Sequence, residues 1–259
     1  MKKYILDLSL TAVERLHERY VLIKATDKTR PLPEMLPGQF AQLQIEGSKQ
    51  TFLRRPISIH NVDRKQNEVW FLVQTIGDGT RQLAKMQPGD TLNVILPLGN
   101  GFTMPTDPSS RVLLVGGGVG VAPLLYMGSV MREKGIEPTF LLGARNAGDL
   151  LQLDKFKALG RVFVTTEDGS MGEKGFVTQH SLLQQEKFDQ ISVCGPKPMM
   201  VAVARYAKSA DTSCEVSLEN MMACVLGACL CCVEDTEMGN VCVCKEGPVF
   251  DINKLKWQI

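Results

Sequence analysis

Short runs of apolar or alternating residues, separated by turn signals, mark the first hundred residues of the chain. The runs are "YILDLSL", "YVLIKAT", "FAQLQIE", "EVWFLVQ" and "TLNVILP", and the turn signals include "PGQ", "GDGT" and "PGD". Such runs are typical of strands, and Gly, Pro and Asp favour tight turns. No long helical period interrupts them. The pattern predicts an antiparallel β-barrel or sandwich over residues 1–105.

The pattern changes after the Pro- and Ser-rich stretch 103–110. "RVLLV", "PTFLLG", "RVFVTT" and "QISVCG" resemble strands that are buried on both faces. Helix-like stretches separate them, around residues 121–134, 150–159, 178–187 and 198–209. Strands that alternate with helices indicate a parallel α/β sheet. We therefore predict an α/β domain over residues 106–212 and a small cysteine-rich domain over residues 213–259.

One charge-free stretch, Val112–Met131, is long enough to cross a bilayer. "GGGVG" and Pro123 interrupt it, and the "RVLLV" before them is typical of a buried strand. A strand–turn–helix unit explains the stretch better than a transmembrane helix does.

Composition and charge narrow the class of protein. The 259 residues are 44% hydrophobic, which is enough for an ordinary globular core. The 29 Lys and Arg oppose 28 Asp and Glu, so charge gives no reason to expect a nucleic acid or an anionic membrane as partner. "MKKYILDLSL" lacks the apolar core and cleavage site of a signal peptide, so we expect a cytoplasmic protein. In a reducing compartment, clustered cysteines are more often metal ligands or redox groups than disulfides.

The cysteines carry the strongest chemical signal. Six of the eight lie in one stretch: Cys224, Cys229, Cys231, Cys232, Cys242 and Cys244. Cys224, Cys229 and Cys232 are spaced C-x4-C-x2-C, which with a fourth cysteine is the plant-type ferredoxin pattern for a [2Fe–2S] cluster. The fourth ligand would be Cys244 or Cys242. We expect Cys231 to be a spectator and assign no role to Cys214.

A zinc site is the alternative, because Cys229 and Cys232 form the C-x2-C pair that zinc sites use. Zinc sites usually pair two such knuckles, and "CVC" at 242–244 is not one. The iron–sulfur interpretation is therefore preferred.

A glycine loop follows the first strand of the α/β region. In "VLLVGGGVGVAPLL" the glycines Gly116, Gly118 and Gly120 precede a helix, where free N–H groups can bind a pyrophosphate. The spacing is not G-x-G-x-x-G, and a tight βα turn would explain the loop equally well. "CGPKPMM" places Cys194 and Gly195 at the end of another strand, where open α/β sheets bind ligands.

Two arginines stand beside a serine in the strand "RRPISI" of the first domain. Arg55 could bind a phosphate through two hydrogen bonds, and Ser58 could bond a flavin edge. Spacing alone would favour a pair of surface arginines.

Motifs throughout the chain resemble the ferredoxin–NADP reductase superfamily in order and position. They are "PGQF" (37–40), "RPIS" (55–58), "GDGT" (77–80), "PLGNGF" (97–102), "GGGVGVAPL" (116–124) and "CGPKPMM" (194–200). The resemblance implies that the barrel binds FAD and that the α/β domain binds a nicotinamide nucleotide. "LRRPISI", "LGNGF" and the cysteine stretch resemble one branch, the electron-transfer subunits of type B dihydroorotate dehydrogenase.

The resemblance also implies site residues. The FAD contacts would be Arg55, Pro56, Ile57, Ser58, Leu72, Val73, Gln74, Gly79 and Thr80. The cluster ligands would be Cys224, Cys229, Cys232 and Cys244, the last because "VCKEGPVF" matches the stretch that begins at the family's final ligand. The chain departs from the family in two ways: Val225 stands where glycine is common, and the loop from Cys232 to Cys244 is short.

The predicted cofactors form a logical relay. NADH delivers two electrons as a hydride, a cluster accepts one at a time, and a flavin can stand between them. No domain is left for an organic substrate, so a second protein should supply or receive the electrons. The resemblance implies that this partner is the FMN-containing subunit that oxidises dihydroorotate in pyrimidine biosynthesis, in a heterotetramer of two copies of each subunit. On this interpretation the chain binds the cofactors that transfer the electrons and contributes no catalytic side chain of its own.

Two other functions remain open. A ferredoxin- or glutamate-synthase-linked NAD(P)H reductase subunit shares the layout, but that branch commonly has Asp where this chain has Cys224. A zinc-stabilised binding module without enzymatic activity is the second. Arg145 and Asp149, near the expected ribose, favour NADP and NAD respectively and so do not decide between them. The resemblance to the family favours NAD.

Overall fold

A closed six-stranded antiparallel barrel forms the first part of the chain, as the sequence predicts. The computed structural model describes residues 2–259. The elements of the barrel region are β1 (Tyr4–His17), β2 (Tyr20–Thr26), β3 (Phe40–Leu43), β4 (Arg55–Asp63), β5 (Glu68–Gln74), α1 (Asp78–Leu83) and β6 (Thr91–Leu98). The strands follow one another around the barrel in the order β1-β2-β5-β4-β3-β6. Inward-facing residues such as Leu8, Ile23 and Phe71 fill its interior, because alternate positions of each strand point inward.

A seven-stranded sheet with flanking helices forms the second part. Its elements are β7 (Val112–Gly117), α2 (Ala122–Glu133), β8 (Thr139–Ala144), α3 (Leu153–Lys157), β9 (Arg161–Thr166), β10 (Glu173–Lys174), α4 (Leu182–Gln185), β11 (Gln190–Cys194), α5 (Lys197–Ser209), β12 (Ser213–Ser217) and, much later, β15 (Val249–Asp251). The strand order is β10-β9-β8-β7-β11-β12-β15, and only β15 runs antiparallel to its neighbour. The fold class expected from the sequence is thus confirmed.

The cysteine-rich segment lies between the last two strands of this sheet. It contains a small hairpin of β13 (Val233–Thr236) and β14 (Gly239–Cys242), followed directly by the short helix α6 (Val243–Glu246). Ser217 and Val249, which flank the segment, are direct partners across β12 and β15. The domain limits at residues 105 and 212 stay predictions.

Shared cores join the three parts. Phe40 and Leu98 of the barrel pack in the same apolar cluster as Val216 of the sheet and Val243 and Cys244 of α6. A second cluster packs the outer face of the barrel against α2 and the sheet. The barrel and the sheet are also joined by the fully buried His60 of β4, whose Nδ1 lies 2.8 Å from the Ala122 carbonyl oxygen.

Two of the helices are shorter than their sequence patterns predict. α3 begins late because Gln152, immediately before it, has the left-handed φ of 53°. α4 is a single turn, since His180 is extended and Glu186 is extended again. Within residues 2–259 no helix is long and apolar enough to span a membrane, and Val112–Met131 is divided between β7 and α2.

Candidate functional site

The structure separates two consecutive arginines, Arg54 immediately before β4 and Arg55 at its first position. Arg54 is half-buried, and its guanidinium donates to the Asn93 carbonyl oxygen at 3.1 Å and to the Gln44 Oε1 at 2.8 Å. Arg55 is half-exposed and donates to the Leu53 carbonyl oxygen at 3.2 Å. Arg54 therefore stabilises the barrel, and Arg55 keeps donors for a phosphate.

Arg55 lies against the first turn of α1. A Cβ on Gly79 would come within 3.2 Å of the Arg55 Nε and 3.0 Å of the Thr51 Cγ2, so a larger residue would have to push these side chains aside. Thr80 follows, and its hydroxyl accepts the Gly77 N–H at 3.1 Å. The structure thus brings Arg55, Gly79 and Thr80 together, and a cationic fork beside a close-approaching backbone fits the phosphates of FAD.

The other predicted FAD residues lie on β4 and β5, which are neighbouring strands. Pro56, Ile57 and Ser58 are half-buried. Leu72 faces outward and shares a core with Val121 beside the glycine loop. Two of the predicted residues have side chains that are already occupied. The Val73 side chain fills the barrel interior, so only its backbone could contact a ligand. The Gln74 Nε2 donates to the Tyr20 hydroxyl at 3.1 Å.

The glycine loop and the Cys194–Gly195 strand end form one site. Gly116 pairs with Cys194 across β7 and β11. A Cβ on Gly120 would lie 2.5 Å from the Cys194 carbonyl oxygen, and one on Gly195 would lie 3.1 Å from the Gly117 amide nitrogen. These glycines therefore allow the two loops to touch. Gly118, with φ of 57° and no atom within 4 Å of a Cβ position, is the member of the loop with open space beside it, where a nucleotide could lie.

Cys194 remains a thiol at this strand end. Burial raises the pKa of Cys194 well above its usual range, the charge of Glu219 raises it further, and a hydrogen bond with Ser217 opposes the shift. A protonated, buried thiol is a weak nucleophile, so Cys194 contributes shape and packing.

The Asp149 carboxylate is bonded to other residues of the protein. Its presence near Arg145 therefore does not by itself indicate a choice between NAD and NADP. It is 6% exposed, its Oδ1 lies 3.4 Å from the Arg19 Nη2 of the barrel, and its Oδ2 accepts from the Asn146 Nδ2 at 3.2 Å. Arg145 is exposed after β8. The carboxylate expected near the ribose therefore joins the barrel to the α/β sheet.

Backbone amides surround the first thiol of the cysteine segment. The Cys224 Sγ accepts the N–H groups of Leu226 and Cys229, each at 3.4 Å. These hydrogen bonds, with that of Leu226 the largest cause, lower the pKa of Cys224 to about 6. A thiolate is the form that binds metal, so these amides favour the metal-binding form of Cys224.

The β13–β14 hairpin occupies the short loop between Cys232 and Cys244 and joins its ends. The Val243 N–H donates to the Cys232 carbonyl oxygen at 3.0 Å, and the Cys244 N–H donates to the Cys232 Sγ at 3.4 Å. Both cysteines are buried. The pKa of Cys244 is raised to about 12. Burial is the largest cause, and the neighbouring Cys232 is the second.

The remaining cysteines differ in position. Cys242 is half-buried and its Sγ lies 3.7 Å from the Gly227 carbonyl oxygen, so a fifth thiol faces the same loop. Cys231 is exposed, and Cys214 is buried in β12, where burial raises its pKa to about 12. Across residues 2–259, no three His, Cys, Asp or Glu side chains converge as ligands of a metal ion.

The conformation of the loop accounts for one departure from the family pattern. Val225 has φ of 52° and Leu230 has φ of 58°, close to the left-handed value of 76° at Gly227. A β-branched residue adopts this region only under constraint, which explains why glycine is common at the position of Val225. Thiols at C-x4-C-x2-C spacing, with amides that donate to their sulfurs, fit a [2Fe–2S] cluster.

A flavin-type barrel, a glycine-lined site at the carboxyl ends of β7 and β11 and a thiol-lined loop define an NAD-linked flavin and iron–sulfur reductase. The chain matches the family model of the iron–sulfur cluster binding domain of dihydroorotate dehydrogenase B over residues 219–256. It matches the oxidoreductase NAD-binding domain over residues 114–205. Both matches agree with the fold described above.

Two relatives extend this similarity to the whole chain. The electron transfer subunit of dihydroorotate dehydrogenase B (NAD(+)) from Shouchella clausii is 38% identical over 256 residues, which cover 92% of this chain and 97% of that protein. The corresponding Listeria monocytogenes subunit is 40% identical over 227 residues and covers 86% and 88%. This chain belongs to the family of dihydroorotate dehydrogenase B electron transfer subunits, as its motifs predict.

Solved structures share the fold. An NADH-dependent reduced ferredoxin–NADP oxidoreductase superposes with a TM-score of 0.85 at 28% identity, covering 96% of this chain and 90% of the other. Phthalate dioxygenase reductase superposes with a TM-score of 0.62 at 20% identity, covering 79% and 64%. The second likeness concerns the fold alone.

Proposed function

We propose that this chain carries electrons between NAD+ and a separate FMN-containing dihydroorotate dehydrogenase subunit, in pyrimidine biosynthesis. The observation that supports this most is the packing of the cysteine segment. Cys244 shares one apolar core with Phe40 of the barrel and Val193 of the sheet, so three candidate cofactor sites belong to one packed body. A relay needs such fixed distances between its sites.

Each part of the relay would be held by residues described above. Arg55, Gly79 and Thr80 would bind the FAD phosphates, and the glycine loop with Gly195 would bind NAD. Four thiols would hold the iron, those of Cys224, Cys229, Cys232 and Cys244. When bound, FAD accepts the two electrons of a hydride and the cluster carries them singly.

The docking face for the partner would lie around the cysteine segment, because electrons must pass from the cluster to the second protein. Met221 and Leu226, on either side of Cys224, are 81% and 68% exposed. Exposed apolar side chains are typical of protein interfaces. We propose a heterotetramer with two copies of each subunit. We also propose a cytoplasmic location, in keeping with eight free cysteines.

The test combines cofactor analysis with reconstitution. Protein purified without air should contain about one FAD, two irons and two labile sulfides per chain, as a [2Fe–2S] flavoprotein requires. Mixed with the FMN subunit of the same organism, it should form a stable complex that reduces NAD+ when dihydroorotate is added. The chain alone should oxidise NADH with artificial acceptors and leave dihydroorotate unchanged.

Cluster-free protein is the control for this experiment. It should keep NADH oxidation with artificial acceptors and lose the coupled reaction. Normal coupled rates without iron would refute the relay, and stoichiometric zinc without labile sulfide would support the binding module instead.

A ferredoxin-linked reductase is the second candidate, favoured by the similarity to the ferredoxin–NADP oxidoreductase structure. Failure to form a complex with the FMN subunit, together with rapid reduction of ferredoxin, would support it.

A further inference from the structure

A loop of the barrel reaches the chain immediately after Cys244. In this loop, "PLGNGF", the Asn100 backbone N–H donates to the Gly247 carbonyl oxygen at 2.7 Å. The Asn100 side-chain Nδ2 donates to the Glu246 carbonyl oxygen at 2.9 Å and to that of Lys245 at 3.3 Å. One residue of the barrel thus binds three consecutive carbonyl groups of the cysteine segment.

The loop that carries Asn100 is itself fixed. Gly99 has φ of 74°, and a Cβ there would lie 2.5 Å from the Pro248 Cδ, so only glycine allows this approach. The Gly99 carbonyl oxygen accepts from the Nε2 of the buried Gln39 at 2.7 Å, and the Gln39 Oε1 accepts the Leu36 N–H at 2.7 Å. The "PGQF" motif therefore supports the "PLGNGF" loop from behind.

The carbonyl groups that Asn100 binds end helix α6, which carries Cys244. The last carbonyls of a helix have no partner within the helix and need other donors. Asn100 provides those donors from a different domain. Cys244 is 1% exposed and its N–H is bound to the Cys232 Sγ, so a displacement of this helix end would displace a thiol of the cluster loop.

We propose that Asn100 is a positioning residue, which fixes the Cys244 helix at a set distance from the flavin barrel. The inference rests on the proposed function, since it assigns Asn100 a part in electron transfer between FAD and the cluster. Groups that orient metal ligands without touching the metal commonly change affinity or activity when they are replaced. Electron transfer also depends steeply on distance, so a loosened helix end would slow it.

The variant Asn100→Asp tests this inference, because it keeps the side-chain shape and replaces the donating NH2 group with an oxygen that repels the carbonyls. Asn240→Asp is the matched control: Asn240 is exposed on the β13–β14 hairpin, and no side-chain hydrogen bond of it is found within residues 2–259. We expect N100D to accept electrons from NADH into its flavin normally and to reduce its cluster about tenfold more slowly. Amide hydrogen exchange at residues 244–248 should be faster in N100D and unchanged in N240D.

Wild-type rates of cluster reduction in N100D, with unchanged amide exchange, would overturn the inference. Should N100D lose its iron, the exchange comparison is made between iron-free wild-type and variant chains, and equal protection at residues 244–248 again overturns it. Wild-type protein that lacks flavin or labile sulfide would refute the proposed function and leave the exchange test of Asn100 valid.

Discussion

Arg54 and Arg55 are consecutive residues in very different environments. Arg54 donates to Gln44 and Asn93, whereas Arg55 lies beside Gly79 and keeps free donors. The spacing of the cysteines could be recognised from the sequence because iron–sulfur ligands follow a local pattern. The choice between neighbouring arginines depends on partners distant in the chain, so it required the fold.

The choice of ligands among the cysteines gives the first prediction. Serine replacements of Cys224, Cys229, Cys232 or Cys244 should each remove or destabilise most of the cluster, because each deletes a thiolate from a four-ligand set. Cys231→Ser and Cys242→Ser serve as controls and should leave the visible spectrum largely intact. Iron content and absorption of anaerobically purified variants provide the measurement. Bleaching by Cys242→Ser with a normal spectrum in Cys244→Ser would show that the fourth ligand is Cys242.

The left-handed conformation of Leu230 gives a second prediction. Its side chain is 64% exposed, so Leu230→Gly loses little burial and removes a left-handed penalty of about 1 kcal/mol. A stabilisation of about 1 kcal/mol lowers the equilibrium constant for local opening of the loop about fivefold. Amide exchange in the loop 226–232 should therefore slow about fivefold. Leu226→Gly is the matched control: Leu226 is also exposed but has no left-handed φ, so this change should leave exchange equal or faster. Faster exchange in Leu230→Gly would contradict the prediction.

His60 joins strand β4 to the start of helix α2. The Ala122 carbonyl oxygen can only accept, so the His60 Nδ1 carries a proton. The His60 Nε2 lies 2.6 Å from the Gln152 Oε1, and a neutral ring requires the Gln152 amide to turn its NH2 group to that position. Burial, as the largest cause, lowers the pKa of His60 from its usual value near 6.5.

Acid should therefore destabilise this junction. The unfolded chain binds a proton at His60 near pH 6.5, and the folded chain binds it only at lower pH. Stability from neutral His60 is complete above about pH 7 and falls by up to about 1.4 kcal/mol per pH unit below about 6.5, down to the folded pKa. His60→Asn should flatten the fall in thermal midpoint between pH 7.5 and 5.5. Since His17 and His180 remain in both proteins, equal slopes would contradict the assignment.

Strands with strong apolar patterns were predictable, and those with weak patterns were not. β2, β5 and β7 follow buried or alternating runs, which the pattern indicates directly. The hairpin residues Val233–Thr236 and Gly239–Cys242 are largely polar and only four residues long, so their pairing depends on the two-residue turn between them. The sequence indicated a short loop there, and the register that joins Cys232 to Cys244 emerged only in the fold.

At the scale of the whole molecule, the cysteine segment lies at one edge of the seven-stranded sheet and β10 lies at the other. Met221 and Leu226 are exposed at the cysteine segment, whereas Phe176, 60% exposed, follows β10. The two edges therefore carry apolar side chains of similar exposure. The FMN subunit is expected to bind at the cysteine segment and not at the β10 edge.

Polar replacement should distinguish these edges. Met221→Gln and Leu226→Gln together should weaken binding of the FMN subunit about tenfold or more, since interface side chains of this kind contribute on the order of 1–2 kcal/mol. Phe176→Gln should leave the affinity unchanged. Calorimetric titration of iron-loaded proteins measures both. Equal affinities for all three proteins would place the docking face elsewhere.

The pairing of Ser217 with Val249 has a consequence for how such reductases arise. Two antiparallel strands need no more than a two-residue turn, so the whole iron-binding segment is an enlarged turn that the sheet does not require. A reductase without iron could gain a cluster by a single insertion of contiguous codons, with every strand left in its order. The same insertion could be transplanted as a cassette into a related host. Asn100 lies outside that cassette, so the host would have to provide a matching loop of its own.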